Sequence, residues 1–391
     1  MNTELKSGIY WVGAIDWNIR NFHGYSTHKG TTYNAYLVIG TKVALVDTVK
    51  APFYGEMLER INNIIPPQDL DYLVVNHVEM DHSGSLPLIR EALPKVEILC
   101  SPRAEAELKE HYGEEIPLKV VKTGDVLELG RKTLTFAEVP MVHWPDSMVT
   151  YVKEDKVLLP NDAFGQHIAS SERFDADLGW DTIYPELAKY YANIVMPYGA
   201  QVIKALEALS GLEIDVIGPS HGIIWKQFLP QLLKTYERWA KGETEAKALI
   251  VYDTMWGSTE KMARAIYRGL TEEGIPTKMY RLTGSDMSDI IKEVLETRAL
   301  LLGSPTLNTG VFPTVAGFST YLKGLRPKGR IAAVFGSFGW GSKATQTLRE
   351  DLTAGGMEVL EELQVKFVPL GEKLDTCEAL GRRMAQRIKE S

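Results

Sequence analysis

Beyond Lys247 five strand-like runs, Ala248 to Tyr252, Thr277 to Arg281, Ala299 to Leu302, Arg330 to Phe335 and Val365 to Val368, alternate with helix-like runs. Strands joined by helical crossovers of roughly ten to fifteen residues pair in parallel, because a tight hairpin cannot connect them. The pattern therefore predicts a five-stranded parallel sheet, doubly wound, with helices on both faces. Just before it, Lys241-Gly-Glu-Thr-Glu-Ala-Lys247 is small, polar and charged. Such a stretch suits a linker between compact units, which divides the chain into residues 1–243 and 247–391.

The first part follows a different grammar. Short β-type runs at Tyr33 to Ile39, Val43 to Asp47, Asp71 to Asn76, Lys119 to Val121, Lys132 to Ala137, Met148 to Val152 and Lys156 to Leu159 are hairpin-like, with helical stretches inserted between some of them. Helical segments follow around Tyr184 to Ile194 and Ala200 to Leu209, then one strand at Asp215 to Gly218 and a helix from Gln227 to Ala240. A mixed sheet layered by helices is the economical reading.

Composition restricts the function classes. A net charge of −8 without any clustered Lys/Arg stripe argues against nucleic acid, anionic lipid or another polyanion as partner. A basic small protein or a neutral redox donor suits that surface. Cys100 and Cys377 are the only cysteines, so neither a disulfide framework nor a cysteine-ligated metal site is available, and any metal takes N and O ligands. Met1 to Gly13 lacks a basic segment followed by an apolar one, and no apolar run approaches the roughly eighteen residues of a membrane span. A cytoplasmic, soluble protein is expected.

The densest chemistry lies in Val74-Val-Asn-His77-Val-Glu79-Met-Asp81-His82-Ser-Gly84, directly after a predicted strand. In extended backbone, residues two apart point the same way, so His77, Glu79 and Asp81 converge while the Ser-Gly bend turns His82 inward. His143 in Val-His-Trp-Pro-Asp, Asp162 in Leu-Pro-Asn-Asp and His221 in Gly-Pro-Ser-His also lie in turn chemistry just past strands. Taken alone, a loop His or Asp is more often a surface group or a cap than a ligand. Seven N/O ligands at strand ends make up the composition of a dinuclear site with one bridging carboxylate.

A second set of features lies in the βαβ half. Its first strand runs into Asp253-Thr254-Met255-Trp256-Gly257-Ser258-Thr259, which opens a helix whose N-terminus binds phosphate without a cation. Gly-x-Gly-x-x-Gly and Gly-x-x-x-x-Gly-Lys-Ser/Thr are both absent, which argues against a dinucleotide and a nucleoside triphosphate. Two further loops follow strands three and four, Gly303-Ser304-Pro305-Thr306-Leu307-Asn308-Thr-Gly310 and Gly336-Ser337-Phe338-Gly339-Trp340-Gly341. Small residues there let backbone approach a planar ring, and aromatics stack on it.

These stretches resemble known families. The ligand spacing resembles the metallo-β-lactamase superfamily, His-x-His-x-Asp-His followed by distant His, Asp and His, with Glu79 in place of the second His. A carboxylate-rich N/O shell favours iron over the zinc of the hydrolases. The three loops resemble flavodoxin, which implies flavin mononucleotide (FMN). Trp256 stands where flavodoxins generally carry Thr, leaving the phosphate contact to Ser258 and Thr259.

Together the halves resemble a flavodiiron protein along essentially the whole chain, including Phe22-His-Gly-Tyr, Gly30-Thr-Thr-Tyr-Asn-Ala-Tyr36 and His143-Trp-Pro-Asp-Ser-Met. The resemblance implies an αββα sandwich before a flavodoxin-like sheet. It implies one iron on His77, Glu79 and His143, another on Asp81, His82 and His221, and Asp162 bridging them. It places His23 and Tyr198 at the distal pocket. The implied activity is reduction of dioxygen to water, nitric oxide to nitrous oxide, or both. Rubredoxin or a reduced deazaflavin coenzyme would be the donor, and a head-to-tail homodimer or dimer of dimers the assembly. The rival is a zinc hydrolase whose flavodoxin-like half only docks.

Overall fold

A computed structural model describes residues 3–113 and 116–391. Two compact units emerge, one from the chain up to Tyr191 together with Ala200–Glu237, the other from Ala192–Gly199 together with Arg238–Ser391. The division falls a few residues before the expected linker, inside the helix Leu229–Ala240, and the first strand of the second unit already begins at Glu245. The segment Ala192–Gly199 joins the second unit through Asn193, which donates to Ser288 O at 3.1 Å and accepts from Tyr321 Oη at 2.6 Å.

In the first unit two sheets stack. One has seven strands in the spatial order Thr3–Lys6, Ile9–Trp11, Tyr36–Ile39, Val43–Val46, Tyr72–Val75, Glu97–Cys100 and Leu118–Val120. The other has five, Val126–Glu128, Thr133–Glu138, Met148–Val152, Val157–Leu159 and Val216–Ile217. Central strands read as continuous apolar runs because both of their faces are covered. Along Val43–Val46, Ala44 and Val46 face the second sheet beside Phe136, Val152 and Leu159. Val43 and Leu45 face the opposite way, toward Met57, Leu86 and Leu108 of the covering helices. Each such Val, Leu or Phe contributes about 1.5–3 kcal/mol on burial, and the alternation pins the register, since a slip of one residue would exchange the two cores.

The second unit has parallel strands in the order Thr277–Arg281, Glu245–Tyr252, Thr297–Leu307, Ile331–Phe338 and Glu358–Lys366, the doubly wound 2-1-3-4-5 arrangement. A short sixth strand, Gly310–Val311, pairs antiparallel with Thr306 and Leu307. The last parallel strand lies earlier than the expected Val365 to Val368. Its run Glu358–Lys366 mixes charged and apolar residues, as suits an edge strand, with a register shift at Val359 to Glu361, and the apolar tail Phe367-Val368 belongs to the loop after it.

Candidate metal and cofactor sites

All seven expected ligands stand where strands of the first unit end. The strand Tyr72–Val75 stops two residues before His77, and Asn76 is tied by its backbone N–H to Asp47 Oδ1 at 2.8 Å. The motif does not stay extended as the alternation argument requires. After Glu79 the chain turns into the short helix Met80–Ser83, whose Ser83 hydroxyl is bonded to Val78 O. Asp81 and His82 thus enter the site from successive positions on a helical turn, which is how adjacent side chains both reach it.

The ligand atoms define two groups. In the first, His77 Nε2 lies 3.4 Å from Glu79 Oε2 and 3.7 Å from Asp162 Oδ2, and His143 Nε2 lies 3.5 Å and 3.3 Å from the same two oxygens. In the second, His82 Nε2 lies 3.3 Å from Asp81 Oδ2 and 3.2 Å from Asp162 Oδ1, while His221 Nε2 lies 3.1 Å and 3.3 Å from them. Ligands about 2.1 Å from a tetrahedrally bound ion are separated by about 3.4 Å, so each group has the dimensions of one metal sphere. Asp162 gives one oxygen to each group.

Donor chemistry fits a pair of cations. Nε2 of His82, His143 and His221, both Asp81 oxygens and Asp162 Oδ2 are buried without a hydrogen-bond partner, although they crowd one another. Such groups ordinarily find partners, and leaving them unpaired costs about 1–3 kcal/mol each. With neutral imidazoles the ionised Glu79, Asp81, Asp162 and adjoining Asp146 carry four negative charges, which two ferrous ions would cancel. Without metal the same crowding holds protons instead. Burial disfavours a cation on His221, but the carboxylates of Asp162 and Asp81 outweigh it and push its pKa up to about 10. Burial likewise works against charge on Asp162, yet His82, His143 and His221 hold its carboxyl well below the usual range.

Residues behind the ligands orient them, and motif reading missed most of these. Asp146 accepts from His77 Nδ1 at 2.9 Å and from the Val78 N–H at 2.8 Å, aiming Nε2 at the site. The signal was available, because Asp146 belongs to the His143-Trp-Pro-Asp turn. His221 Nδ1 donates to Thr32 O at 2.7 Å. Asp47, raised in pKa by burial, gathers Asn76 and Asn161 and so ties the first ligand loop to the loop carrying Asp162.

His23 adopts φ +53° and stacks on Phe22 at 4.0 Å, bringing Nε2 to 3.4 Å from Glu79 Oε1 and 3.7 Å from Asp81 Oδ2. For Tyr198, expected in the same pocket, no contact with a ligand residue is found among the described residues. It sits in the turn Met196–Tyr198, within the segment that clusters with the second unit. Two turns of helix earlier, Tyr190 is fully buried and its Oη donates to Asp162 Oδ1 at 2.8 Å. The face of helix Trp180–Tyr190, not visible in a run with tyrosines at 184, 190, 191 and 198, makes that selection. His167 was not anticipated either. It is buried, Nδ1 meets Thr31 Oγ1 at 2.7 Å, Nε2 has no hydrogen-bond partner, and its ring lies 5.0 Å from that of His221.

In the second unit a cavity of about 570 Å³ opens at the C-terminal ends of the parallel strands, within the size range of cofactor sites. Thr254, Met255, Trp256, Ser258, Pro305, Thr306, Leu307, Asn308, Ser337, Phe338, Gly339, Trp340 and Gly341 line it, with Thr309, Phe367 and Val368 added. None of these is charged, so a phosphate there relies on hydroxyls and on the free N–H groups of the helix beginning at Ser258. Three expected residues do not line it. Gly257 takes φ +79° to start the helix, Ser304 turns its hydroxyl to Pro305 O, and Thr259 is buried with Oγ1 3.0 Å from Ser337 Oγ. The hydroxyls facing the cavity at this end are therefore those of Thr254 and Ser258.

Comparison with known proteins agrees with both halves. Residues 31–222 match the family described as ODP family beta lactamase, and residues 250–381 match flavodoxin. The chain is 50% identical over 393 residues to the nitric oxide reductase of Moorella thermoacetica, covering 99% of this chain and 98% of that one. It superposes on rubredoxin oxygen:oxidoreductase of the anaerobe Desulfovibrio gigas with TM-score 0.98 and 41% identity, covering 100% and 99% of the two chains. A flavodiiron protein of Giardia intestinalis matches with TM-score 0.97 and 34% identity, covering 100% and 97%.

Proposed function

Because this chain belongs to the flavodiiron protein family, we propose that it is an oxidoreductase carrying two irons and FMN that reduces dioxygen to water, nitric oxide to nitrous oxide, or both. The observation that carries the reading is Asp162, whose two carboxylate oxygens face two separate groups of ligands. His77, Glu79 and His143 would hold one iron, Asp81, His82 and His221 the other, and Asp162 would contribute to both; when bound, the two irons would supply two electrons and reduced FMN two more.

The residues of this chain do the rest. Asp146 and the Thr32 carbonyl hold the imidazoles of His77 and His221 in the tautomer that presents Nε2. Tyr190 keeps its proton, since burial and the nearby Asp162 raise its pKa well above 10, and so it fixes the orientation of the bridging carboxylate. His23 lies over the two carboxylates at the pocket mouth, where its Nε2 can hydrogen-bond or protonate a bound substrate. The uncharged cradle at Thr254 to Ser258 takes the FMN phosphate, and Phe338 and Trp340 stand where the flavin ring needs aromatic neighbours.

Electrons arrive from a separate small redox donor, rubredoxin or a reduced deazaflavin coenzyme. Trp256 and Trp340 at the cradle are 87% and 92% exposed in the single chain. Rings of that size ask for cover, which supports a head-to-tail homodimer or dimer of dimers that places one chain's FMN beside its partner's irons. Among the described residues no helix is long and apolar enough to cross a membrane, and the reading places the protein in the cytoplasm. The test is metal and flavin analysis of iron-grown protein, followed by anaerobic assays with each gas after chemical reduction. Two irons and one FMN per chain with turnover of at least one gas is expected. Stoichiometric zinc with full activity would overturn the reading.

A further inference from the structure

Behind the ligand-bearing turns of the first unit lies a second space of opposite character. It is a cavity of about 20 Å³, and Val142, Ala163 and Phe164 form its inner wall. Val142 directly precedes the ligand His143, and Ala163 directly follows Asp162. The same turn touches the other group of ligands, since a Cβ on Gly165 would lie 3.6 Å from His221 Cβ. On the outer side Ala205, Leu206 and Leu209 of the helix Gly199–Leu209 are only half-buried, so one helix face separates the cavity from solvent.

The single hydroxyl in the wall, Tyr236 Oη, already accepts from the Phe164 N–H at 2.7 Å. A cavity of this size has room for one small molecule, but a water there needs two to four polar partners, and apolar cavities without them stay dry. Molecules with little to lose by leaving water, such as diatomic gases, are the ones it admits.

We propose that this cavity is a gas-binding site that holds dioxygen or nitric oxide directly behind the metal ligands and supplies it from the apolar side of the site. The inference rests on the proposed function for the identity of the gas, but not for the existence of the cavity. Two heavy atoms bind weakly, so the site is a millimolar one. Its effect is on capture of gas at low concentration and not on the rate at saturation.

Xenon serves as a probe that is independent of turnover. With the holoenzyme, the 129Xe chemical shift is expected to respond in the millimolar range, and Ala205→Phe, which fills the cavity from a half-buried helix position, is expected to abolish the response. The same variant should keep its iron, FMN and rate at saturating gas, while KM for the gas rises about two- to fivefold. Should Ala205→Phe fail to fold, Val202→Ala enlarges the cavity and should strengthen xenon binding. An identical xenon response in wild type and variant, or an unchanged KM once the response is lost, overturns the proposal. Xenon binding in a protein that turns over neither gas would refute the oxidoreductase reading and leave the cavity standing.

Discussion

Replacing Asp146 tests whether the ligand groups are metal sites or a self-contained ionic cluster. Asp146 Oδ2 accepts both the His77 ring N–H at 2.9 Å and the Val78 N–H at 2.8 Å, and Oδ1 lies 3.1 Å from the same ring nitrogen. In Asp146→Asn the amide oxygen can take the place of Oδ2 and keep both bonds, so the fold should survive. What disappears is the charge. A hydrogen bond to a charged group contributes about 1.5–3 kcal/mol against about 0.5–1.5 for a neutral one, and loss of such a residue behind a ligand typically weakens metal binding 10- to 100-fold, or about 1.4–2.7 kcal/mol.

Asp146→Ala goes further, leaving the His77 and Val78 donors unpaired in a buried place at about 1–3 kcal/mol each. The expected order of iron affinity is therefore wild type, Asn, Ala. The loss should fall first on the group of His77, Glu79 and His143, because His82 and His221 do not touch Asp146. Titrating apo-protein with ferrous iron against a chromophoric chelator reads both affinities, while the FMN spectrum and circular dichroism report on the rest. Two irons held at wild-type affinity by both variants would refute the reasoning.

Other outcomes follow from the same geometry. Asp162→Ala should lose both irons or all gas reduction while the FMN spectrum is retained, and a variant that kept iron and turnover would show the bridge to be another residue. Metal binding to apo-protein near neutral pH should release protons and strengthen as pH rises, because His221, raised to about 10, carries a proton that the ion must displace. A pH electrode in weakly buffered titrations measures this, and zero release would contradict the assigned charge state. His23→Ala should leave iron and FMN content intact but change the rates for dioxygen and nitric oxide unequally, since the two reductions consume different numbers of protons. Equal, near-wild-type rates would return His23 to a loop-packing role. Gly222→Ala should destabilise the site loop, as its Cβ would fall 1.7 Å from Gln166 Oε1 at a φ of +80°, and an unchanged melting temperature would argue against this turn.

What the sequence made legible and what it hid have physical causes. The seven candidate ligand positions could be proposed because polar residues follow apolar strand-like runs, with Ser-Gly after His82, Trp-Pro after His143 and Pro-Ser before His221, a contrast local enough to see without a fold. The flavin cradle was legible for the same reason, as three loops at the carboxyl ends of predicted parallel strands. Positions set by helix phase or by distant packing were not. Tyr190 and Tyr198 are equally plausible in a run of tyrosines until the helix Trp180–Tyr190 fixes which ring is turned inward. Asp81 was read as part of an extended segment and His82 as turned in by the Ser-Gly bend after it, whereas one helical turn presents both.

The same distinction explains why Asp47 drew no attention. It is a buried carboxylate with φ +57° that touches no ligand atom yet bonds Asn76, one residue before His77, and Asn161, one residue before Asp162. Nothing in Val43-Ala-Leu-Val-Asp47 marks it as more than the end of a strand. Only the stacking of the two sheets sets its carboxylate between loops from both, so that the spacing of the two ligand groups depends on how the sheets pack. Substitutions in the core between those sheets should therefore disturb metal binding before they unfold the unit. Phe136→Leu, which trims an inter-sheet core residue that is not itself a ligand, should weaken iron retention at temperatures where circular dichroism still reports the native fold. If iron were lost only together with the fold, the sheets would act as an inert support and Asp47 would have no such coupling role.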